Sequence, residues 1–312
     1  MIKNISDKLS KLKDVADNSQ TELLKEKNIG DLFLYVNSKN HDNSSNPFEK
    51  NEKEIKIQEY FNSKYYKINS KIKDVVFRIT DKSGDIENFI NDSILDYSAV
   101  ISKYFYDGDF KVSANDNRKY SLSRNNDGIN VLSITKNDCN VKIEFTKTSF
   151  VKIEENKNLE TISLIFRKHN LFQKIFALSG SSIKKYIKTD SSGNKTEEIY
   201  FSRQNKAEKY IKYRAGKKEF EIIFDTSDWQ YLTEKSNKTL KVIPLEYYGY
   251  DFLENVIEKL TFQYAKPSKY SEFNSNTGKV TKTFNLQGLS SVVTRYTFYN
   301  SLTGQMLAFG TL

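Results

Sequence analysis

Residues 183–224 read IKKYIKTDSSGNKTEEIYFSRQNKAEKYIKYRAGKKEFEIIF, and this stretch decides the fold class. Apolar and polar residues alternate along it in short runs, and the runs are interrupted by SSGN at 191–194 and by AG at 215–216. A period of two is typical of β-strands, and glycine supplies the positive φ angle that tight hairpin turns require. The stretch therefore predicts two linked β-hairpins.

The chain on both sides of this stretch, from residue 109 onward, repeats the pattern. Turn residues separate short alternating runs, and Asn126-Asp127-Gly128 is a typical hairpin turn. The expected strands are 111–113, 120–124, 130–135, 141–146, 149–154, 161–167 and 240–243. One segment differs: Asp251 can cap a helix that Pro267 would stop, which predicts a helix near 251–264. We expect a β-rich body over 109–312 with that single helix.

Two segments near the C-terminus resemble each other. FNSNTGKV at 273–280 and YNSLTGQM at 299–306 lie 26 residues apart, and each places an aromatic residue before a polar turn that closes on Thr-Gly. The final segment, MLAFGTL at 306–312, carries no charged side chain. We expect it to be a strand that either completes the core or adds to the sheet edge of a neighbouring protein.

The first third of the chain predicts helices and a linker. Apolar residues at helical spacing (Ile2, Ile5, Leu9, Leu12) predict amphipathic N-terminal helices within 1–36. Residues 37–54 are polar and turn-rich, which predicts a linker or long loop. Residues 55–108 are a mixed region, with a strand expected at 74–80 and a helix at 85–104. The fold class that follows is α+β, a helical N-terminal region followed by a predominantly antiparallel, hairpin-rich β body.

Charge and cysteine content restrict the partners and cofactors. The 312 residues include 49 Lys or Arg and 40 Asp or Glu, so the formal net charge is +9. This balance favours anionic partners, although it is mild for a chain of this length. One cysteine excludes an internal disulfide, and two histidines exclude a multi-histidine metal site, so we expect no cofactor and no metal.

The sequence also bears on localisation. The first twenty residues are charged throughout and lack the apolar core of a secretory signal, and no run approaches the ~18 apolar residues of a membrane-spanning helix. We therefore expect no transmembrane segment. The protein is expected in the cytoplasm, or in an assembled particle, or outside the cell after export without a cleavable signal peptide.

The hairpin stretch 183–224 is the strongest candidate for a binding surface. It contains eleven Lys or Arg against six Asp or Glu. Strand alternation places Tyr210, Lys212 and Arg214 on one face, where tyrosine could stack on bases and the cations could follow a phosphate backbone. The same pattern is also typical of a solvated sheet face whose lysines protect against aggregation. The candidate binding residues are Lys184, Lys185, Arg203, Lys209, Tyr210, Lys212, Arg214, Lys217 and Lys218.

The candidate catalytic residues are two aspartates, Asp225 and Asp228. Asp225 and Asp228 lie in FDTSDW, beside the single tryptophan, and paired carboxylates can bind a divalent cation or act as acid and base. A strand that ends in an Asp-capped turn explains the same residues without chemistry.

Three functions remain open on the sequence alone. The scarcity of catalytic residues, the aromatic hairpins and the uncharged final strand favour a non-enzymatic interaction or assembly subunit, part of a virion, secretion apparatus or other particle, with other protein subunits as partners. The alternative is a protein that binds nucleic acid or an anionic surface through 183–224. A further alternative is a toxin-like effector enzyme with carboxylate chemistry near Asp225 and Asp228.

Overall fold

The computed structural model describes residues 47–80, 118–136, 139–146, 150–167, 183–203, 206–226, 242–287 and 292–312, together with eight residues between 86 and 101. All strands in this part of the chain belong to one sheet, in which each strand pairs antiparallel with the next along the sequence. The strands are β1 (Lys119–Arg124), β2 (Asn130–Lys136), β3 (Cys139–Phe145), β4 (Phe150–Lys157), β5 (Glu160–Phe166), β6 (Ile183–Thr189), β7 (Lys195–Phe201), β8 (Ala207–Arg214), β9 (Lys217–Asp225), β10 (Ile243–Tyr250), β11 (Val256–Gln263), β12 (Lys266–Phe273), β13 (Val280–Gln287), β14 (Val292–Tyr299) and β15 (Met306–Thr311).

The α+β prediction is wrong. A single 15-stranded antiparallel meander dominates the described residues, and the one continuous helix with defined bounds is α1, Pro47–Thr80. The predicted N-terminal helices within 1–36 lie outside the described residues. The eight described residues between 86 and 101 are helical, and they fall in the segment 85–104 where a helix was expected.

The helix α1 replaces the strand that was expected at 74–80 and extends back into the expected linker 37–54. One side of α1 is apolar and buried, and its members are separated by four, seven, four and three residues: Ile57, Phe61, Ile68, Ile72 and Val75. This spacing keeps all five on one side of a helix with 3.6 residues per turn. Packing of that side outweighs the β preference of Val75 and its neighbours.

The helix expected near 251–264 is also wrong. Asp251 does accept backbone hydrogen bonds through its carboxylate, from Leu253 N at 2.8 Å and Asn255 N at 2.9 Å, but these bonds close a hairpin turn. The chain then continues as β11, in which Leu260 and Phe262 face the core. The helix-cap and turn uses of aspartate rely on the same local hydrogen bonds, so the residue alone does not distinguish them.

A continuous row of apolar side chains crosses the sheet and forms its core. Thirteen residues, one from each of β2 to β14, lie directly opposite one another across neighbouring strands, and each is at most 5% exposed. In strand order they are Leu132, Ile143, Ile153, Leu164, Tyr186, Ile199, Tyr210, Ile222, Tyr247, Leu260, Tyr270, Phe284 and Tyr296. Direct cross-strand pairs of this kind are the unit from which sheets are stabilised.

The helix α1 packs over this row from β14 to β7 and crosses the strands in the reverse of chain order. Near its start, the ring of Phe61 lies 5.9 Å from that of Tyr270 on β12 and 6.2 Å from that of Phe284 on β13. Further along, Lys71 Nζ is 3.4 Å from the Tyr247 hydroxyl on β10. In its last turn, Arg78 pairs with Glu197 on β7. We call this side of the sheet the helix-covered face and the other side the opposite face.

The two similar sequence segments form the same hairpin turn. The Asn274 side-chain oxygen accepts hydrogen bonds from the backbone N–H groups of Asn276 and Thr277, at 3.0 and 2.9 Å. The Asn300 side-chain oxygen accepts the equivalent hydrogen bonds from the backbone N–H groups of Leu302 and Thr303, at 2.9 Å each. The similarity therefore encodes a turn.

Candidate functional site

Three of the predicted binding lysines are paired with glutamates on neighbouring strands. Lys185 Nζ lies 2.7 Å from Glu198, Lys209 Nζ lies 3.1 Å from Glu221, and Lys212 Nζ lies 3.4 Å from Glu197. A lysine that is already paired gains less from a phosphate than an unpaired one does, because its own carboxylate must first be displaced. Part of the positive charge of 183–224 is therefore compensated within the sheet.

The predicted binding residues also do not form one surface. Tyr210 is buried on the helix-covered face, where its hydroxyl donates a 2.7 Å hydrogen bond to Glu197, so its ring is not available for stacking on a base. Lys212 lies on the same face, whereas Lys185 and Lys209 lie on the opposite face. The predicted alternation along β8 is correct, but it points Tyr210 beneath α1.

The remaining predicted residues lie at the sheet ends or are individually exposed. Lys184 and Arg203 are exposed. Arg214 is 3.4 Å from Glu219, and Lys217 Nζ lies 3.9 Å above the ring of Phe252. Lys218 Nζ is 3.7 Å from Glu221 and 5.4 Å from the ring centre of Tyr250. The structure thus distributes the nine residues over two faces and a turn.

Glu198 is the centre of a polar network on the opposite face. It is only 1% exposed, and it accepts contacts from Lys185 at 2.7 Å, Lys195 at 2.8 Å and the Tyr213 hydroxyl at 2.7 Å. Burial alone would raise the pKa of this carboxyl, but the hydrogen bonds from the two lysines outweigh it and lower the pKa to about 2. Lys185 belongs to β6 and Tyr213 to β8, so Glu198 links β7 to both of its neighbouring strands.

Lysine–tyrosine pairs recur across this face. Lys185 lies 4.5 Å from the ring centre of Tyr200, its direct neighbour across β6 and β7, and Lys259 lies 4.7 Å from that of Tyr248 across β10 and β11. Such cation–π contacts stabilise adjacent strands. They also occupy the aromatic faces that a stacked ligand would need.

A second polar network holds α1 on the sheet. Glu272 accepts a hydrogen bond from the Tyr60 hydroxyl and lies 2.8 Å from Lys282 Nζ. Its direct neighbour Glu258 accepts hydrogen bonds from the hydroxyls of Tyr247 and Tyr270, at 3.2 and 3.3 Å. Among the described residues no group of three or more His, Cys, Asp or Glu could hold a metal ion. Glu272 thus ties α1 to the sheet, whereas Glu258 links Tyr247 of β10 to Tyr270 of β12.

The predicted catalytic pair is only half described. Asp225 ends β9, opposite Ile243 on β10. Asp228 and the adjacent tryptophan lie outside the described residues, so the pairing of the two carboxylates stays a prediction.

The sequence left open whether the final strand completes the core or lies at an edge that can pair with a neighbour. β15 pairs with β14 on one side, and no other described strand lies on its outer side. Its three large apolar side chains face solvent: Met306 is 59%, Leu307 41% and Phe309 68% exposed. The absence of charge in 306–312 was the available signal, and the sheet order shows that it falls on an edge.

A small apolar hollow lies beside the end of this strand. It has a volume of about 290 Å³ and is lined by Ile55, Val292, Val293 and Leu312, with Glu54, Gln58 and Glu59 of α1 around it. Gln58 accepts a 2.8 Å hydrogen bond from Val293 N, which ties α1 to β14 here. Within the described residues neither Glu54 nor Glu59 is paired with a cation. The corner thus combines exposed apolar side chains with two unpaired carboxylates.

Comparison with known proteins adds no family. No family model and no curated protein matches the chain. Among solved structures, TarM matches with a TM-score of 0.23 and 12% identity over 39% of this chain and 19% of its own. The pneumococcal O-GlcNAc transferase GtfA matches with a TM-score of 0.15 and 11% identity over 41% of this chain and 18% of its own. The chain therefore spans about a fifth of the length of either protein.

A third solved structure is a porin-like protein from Bacteroides uniformis, with a TM-score of 0.18 and 10% identity over 64% of this chain and 91% of its own. In the part of the chain that the structure describes, no helix has the length and apolar character to cross a membrane. Similarities at these TM-scores assign neither a fold family nor a function to the chain.

Proposed function

We infer that this protein is a non-enzymatic assembly subunit that binds another protein chain by strand addition at β15. The observation that carries this function is the exposed, uncharged edge strand at the end of the 15-stranded sheet. An extended partner segment can hydrogen-bond to such an edge, while its side chains contact those of the edge strand.

The character of β15 supports a contact role because free edges are normally protected. Natural sheets cover their edges or place lysine, proline or a bulge there, since an unprotected apolar edge pairs with other chains. The edge β1 follows this rule with Lys119 and Arg124. β15 has neither charge nor proline, and Leu307 and Phe309 expose large apolar surfaces beside the unpaired backbone.

The internal pairing of the basic residues supports binding to protein over binding to nucleic acid. Lys185, Lys209 and Lys212, which lie on the faces of the sheet, contact glutamates at 2.7–3.4 Å. A nucleic-acid surface would need cations that can release counterions from phosphate groups.

The test is the mass of the full chain in solution. We would purify it with nuclease treatment and measure light scattering at low and high salt, alongside the variant L307K/F309K and the control L253K. Leu253 is 73% exposed on the 251–255 turn, away from β15, so L253K makes the same leucine-to-lysine change as L307K at a site outside the edge strand.

The wild type and L253K are expected above the monomer mass, alone or with a co-purifying protein, and the excess should survive high salt because the contact is apolar. L307K/F309K should be a folded monomer. A wild type that is monomeric and free of other proteins under all conditions would contradict the function. Nucleic acid that co-purifies until salt removes it would instead favour the basic hairpins.

A further inference from the structure

The two edges of the sheet differ in a way that makes them complementary. Among the described residues neither Lys119 nor Arg124 of β1 is paired with a carboxylate, and both are exposed. At the other edge, Glu54 and Glu59 lie unpaired around the apolar hollow at the end of β15. In a chain of net charge +9, these two carboxylates lie beside an apolar edge and have no ion-pair partner in the part of the chain that the structure describes.

The directions of the edge strands bring these charges together. Fourteen antiparallel steps separate β1 from β15, so the two strands run the same way through the sheet. If a second copy continues the sheet with its helix-covered face on the same side, its β1 therefore lies parallel to β15. The C-terminal residue of that β1, Arg124, then comes to the end where Leu312 lines the hollow.

The side chains also fall on matching faces. Along β1, Tyr120, Leu122 and Arg124 alternate onto the face of the apolar row, since Leu122 lies opposite Leu132 without a register shift. Glu54 and Glu59 belong to α1, which packs on that same face. Arg124 of the second copy is thus on the correct side to reach the two carboxylates, and Leu122, 39% exposed in the free chain, is covered.

We propose that the partner at β15 is a second copy of this chain, joined head to tail through its β1. This rests on the proposed function and names its partner. The same contact can be repeated at every free edge, so the product is an open chain of subunits or a closed ring. Pairing β15 with β15 around a two-fold axis would place the acidic corners at opposite ends of the interface, where the cations of β1 are absent.

Two variants, each with one edge strand blocked by charged residues, test whether the contact joins β15 to β1. L307K/F309K places lysines on β15 and leaves β1 free, whereas L122E/R124E places carboxylates on β1 and leaves β15 free. All four positions are exposed, so both variants should retain the far-UV circular dichroism spectrum and melting temperature of the wild type. If either melts early, the single substitutions F309K and R124E replace them.

Each blocked variant alone is expected to be a monomer by sedimentation at up to about 100 µM, a range suited to a small interface. A 1:1 mixture should double the mass and stop there, because each dimer then has only blocked edges. The wild type should grow beyond a dimer with concentration.

The other results are informative as well. If L122E/R124E dimerises alone and the mixture adds nothing, the contact is two-fold and the head-to-tail arrangement is overturned. If the mixture stays monomeric while the wild type carries a different protein, the partner named here is wrong and the proposed function stands. If everything is monomeric and free of other proteins, both fail.

Charge reversal gives an independent check. R124E alone and E54K/E59K alone should each weaken wild-type assembly by several-fold, the size expected for exposed ion pairs. Combined in one chain, R124E/E54K/E59K restores opposite charges across the interface and should recover assembly. Recovery no better than the weaker parent would show that these residues do not face each other.

Discussion

Replacing Arg78 by methionine tests how α1 is held on the sheet. Arg78 donates two hydrogen bonds to Glu197, from Nη1 to Oε1 and from Nη2 to Oε2, the second at 3.1 Å. Glu197 is only 1% exposed. Methionine keeps an unbranched apolar side chain in place of the arginine stem and removes the guanidinium, so R78M leaves a buried carboxylate without its main partner.

The expected cost follows from the partners that remain. Removing one member of a buried ion pair typically costs roughly 3–5 kcal/mol, because the other charge stays buried. Glu197 keeps a 2.7 Å hydrogen bond from Tyr210 and a 3.4 Å contact with Lys212. We therefore expect R78M to lower the free energy of unfolding by about 2–3 kcal/mol at neutral pH.

The pH dependence separates this cost from lost packing. Burial would raise the pKa of Glu197, but the hydrogen bonds and charge of Arg78 hold it below its usual value of 4.5. A carboxyl with a lowered folded pKa contributes stability that is present above the unfolded pKa and is lost as the pH falls through the folded one. The difference between wild type and R78M should therefore shrink in acid.

The measurement is urea unfolding followed by far-UV circular dichroism at neutral pH and at about pH 3, with R78M/E197Q as control. The double variant should be more stable than R78M at neutral pH because it no longer buries a charge. A change below about 0.5 kcal/mol in R78M, or the same loss at both pH values, would refute the reasoning.

Three further substitutions test the sheet itself. F284A removes a buried ring of the central row that contacts Phe61 and Tyr270. It should lower the free energy of unfolding, measured by heat or urea, by about 3–5 kcal/mol. A loss below about 1 kcal/mol would contradict the assigned core. G249A would place a methyl group 2.5 Å from the Glu258 side chain, so we expect a loss of roughly 1–3 kcal/mol, and adding E258A should recover part of it if this clash is the cause. E198Q should be less stable than wild type at neutral pH, with the gap closing as the pH falls from the usual carboxyl pKa of 4.5 toward about 2; a gap that does not change over this range would rule out the lysine pairs as its source.

Local signals predicted the hairpins and failed for the elements that depend on distant contacts. The turns at 191–194 and 215–216 separate β6 from β7 and β8 from β9, because alternation and glycine act within a few residues. The helix α1 was missed because its buried residues, from Ile57 to Val75, are diluted by charged neighbours. A search for short apolar periods therefore overlooks them, and the helix gains most of its stability from the sheet that buries them.

The binding prediction did not include charge pairing, because the pairing also depends on contacts between distant residues. Counting residues in 183–224 finds an excess of cations, but the partner of Lys185 is Glu198 on the next strand and that of Lys209 is Glu221. These pairs depend on the register of neighbouring strands, which a count of charges does not contain. The uncharged final strand was visible in the sequence, whereas its position at a sheet edge was a property of the whole meander.

The rise of α1 per residue matches the spacing of the strands, which explains why one helix can pack on so many of them. From Tyr60 to Arg78 the helix rises about 27 Å, at ~1.5 Å per residue, while the five strand spacings from β12 to β7 cover about 24 Å, at ~4.8 Å each. Seven residues of helix thus rise about as far as one hairpin is wide, so positions seven apart, such as Lys71 and Arg78, meet successive hairpins from the same side of α1. The buried residues Phe61, Ile68 and Val75 share this spacing. A meander of regular width therefore selects a seven-residue repeat in the helix that covers it, and this repeat is the sequence feature by which α1 can be recognised.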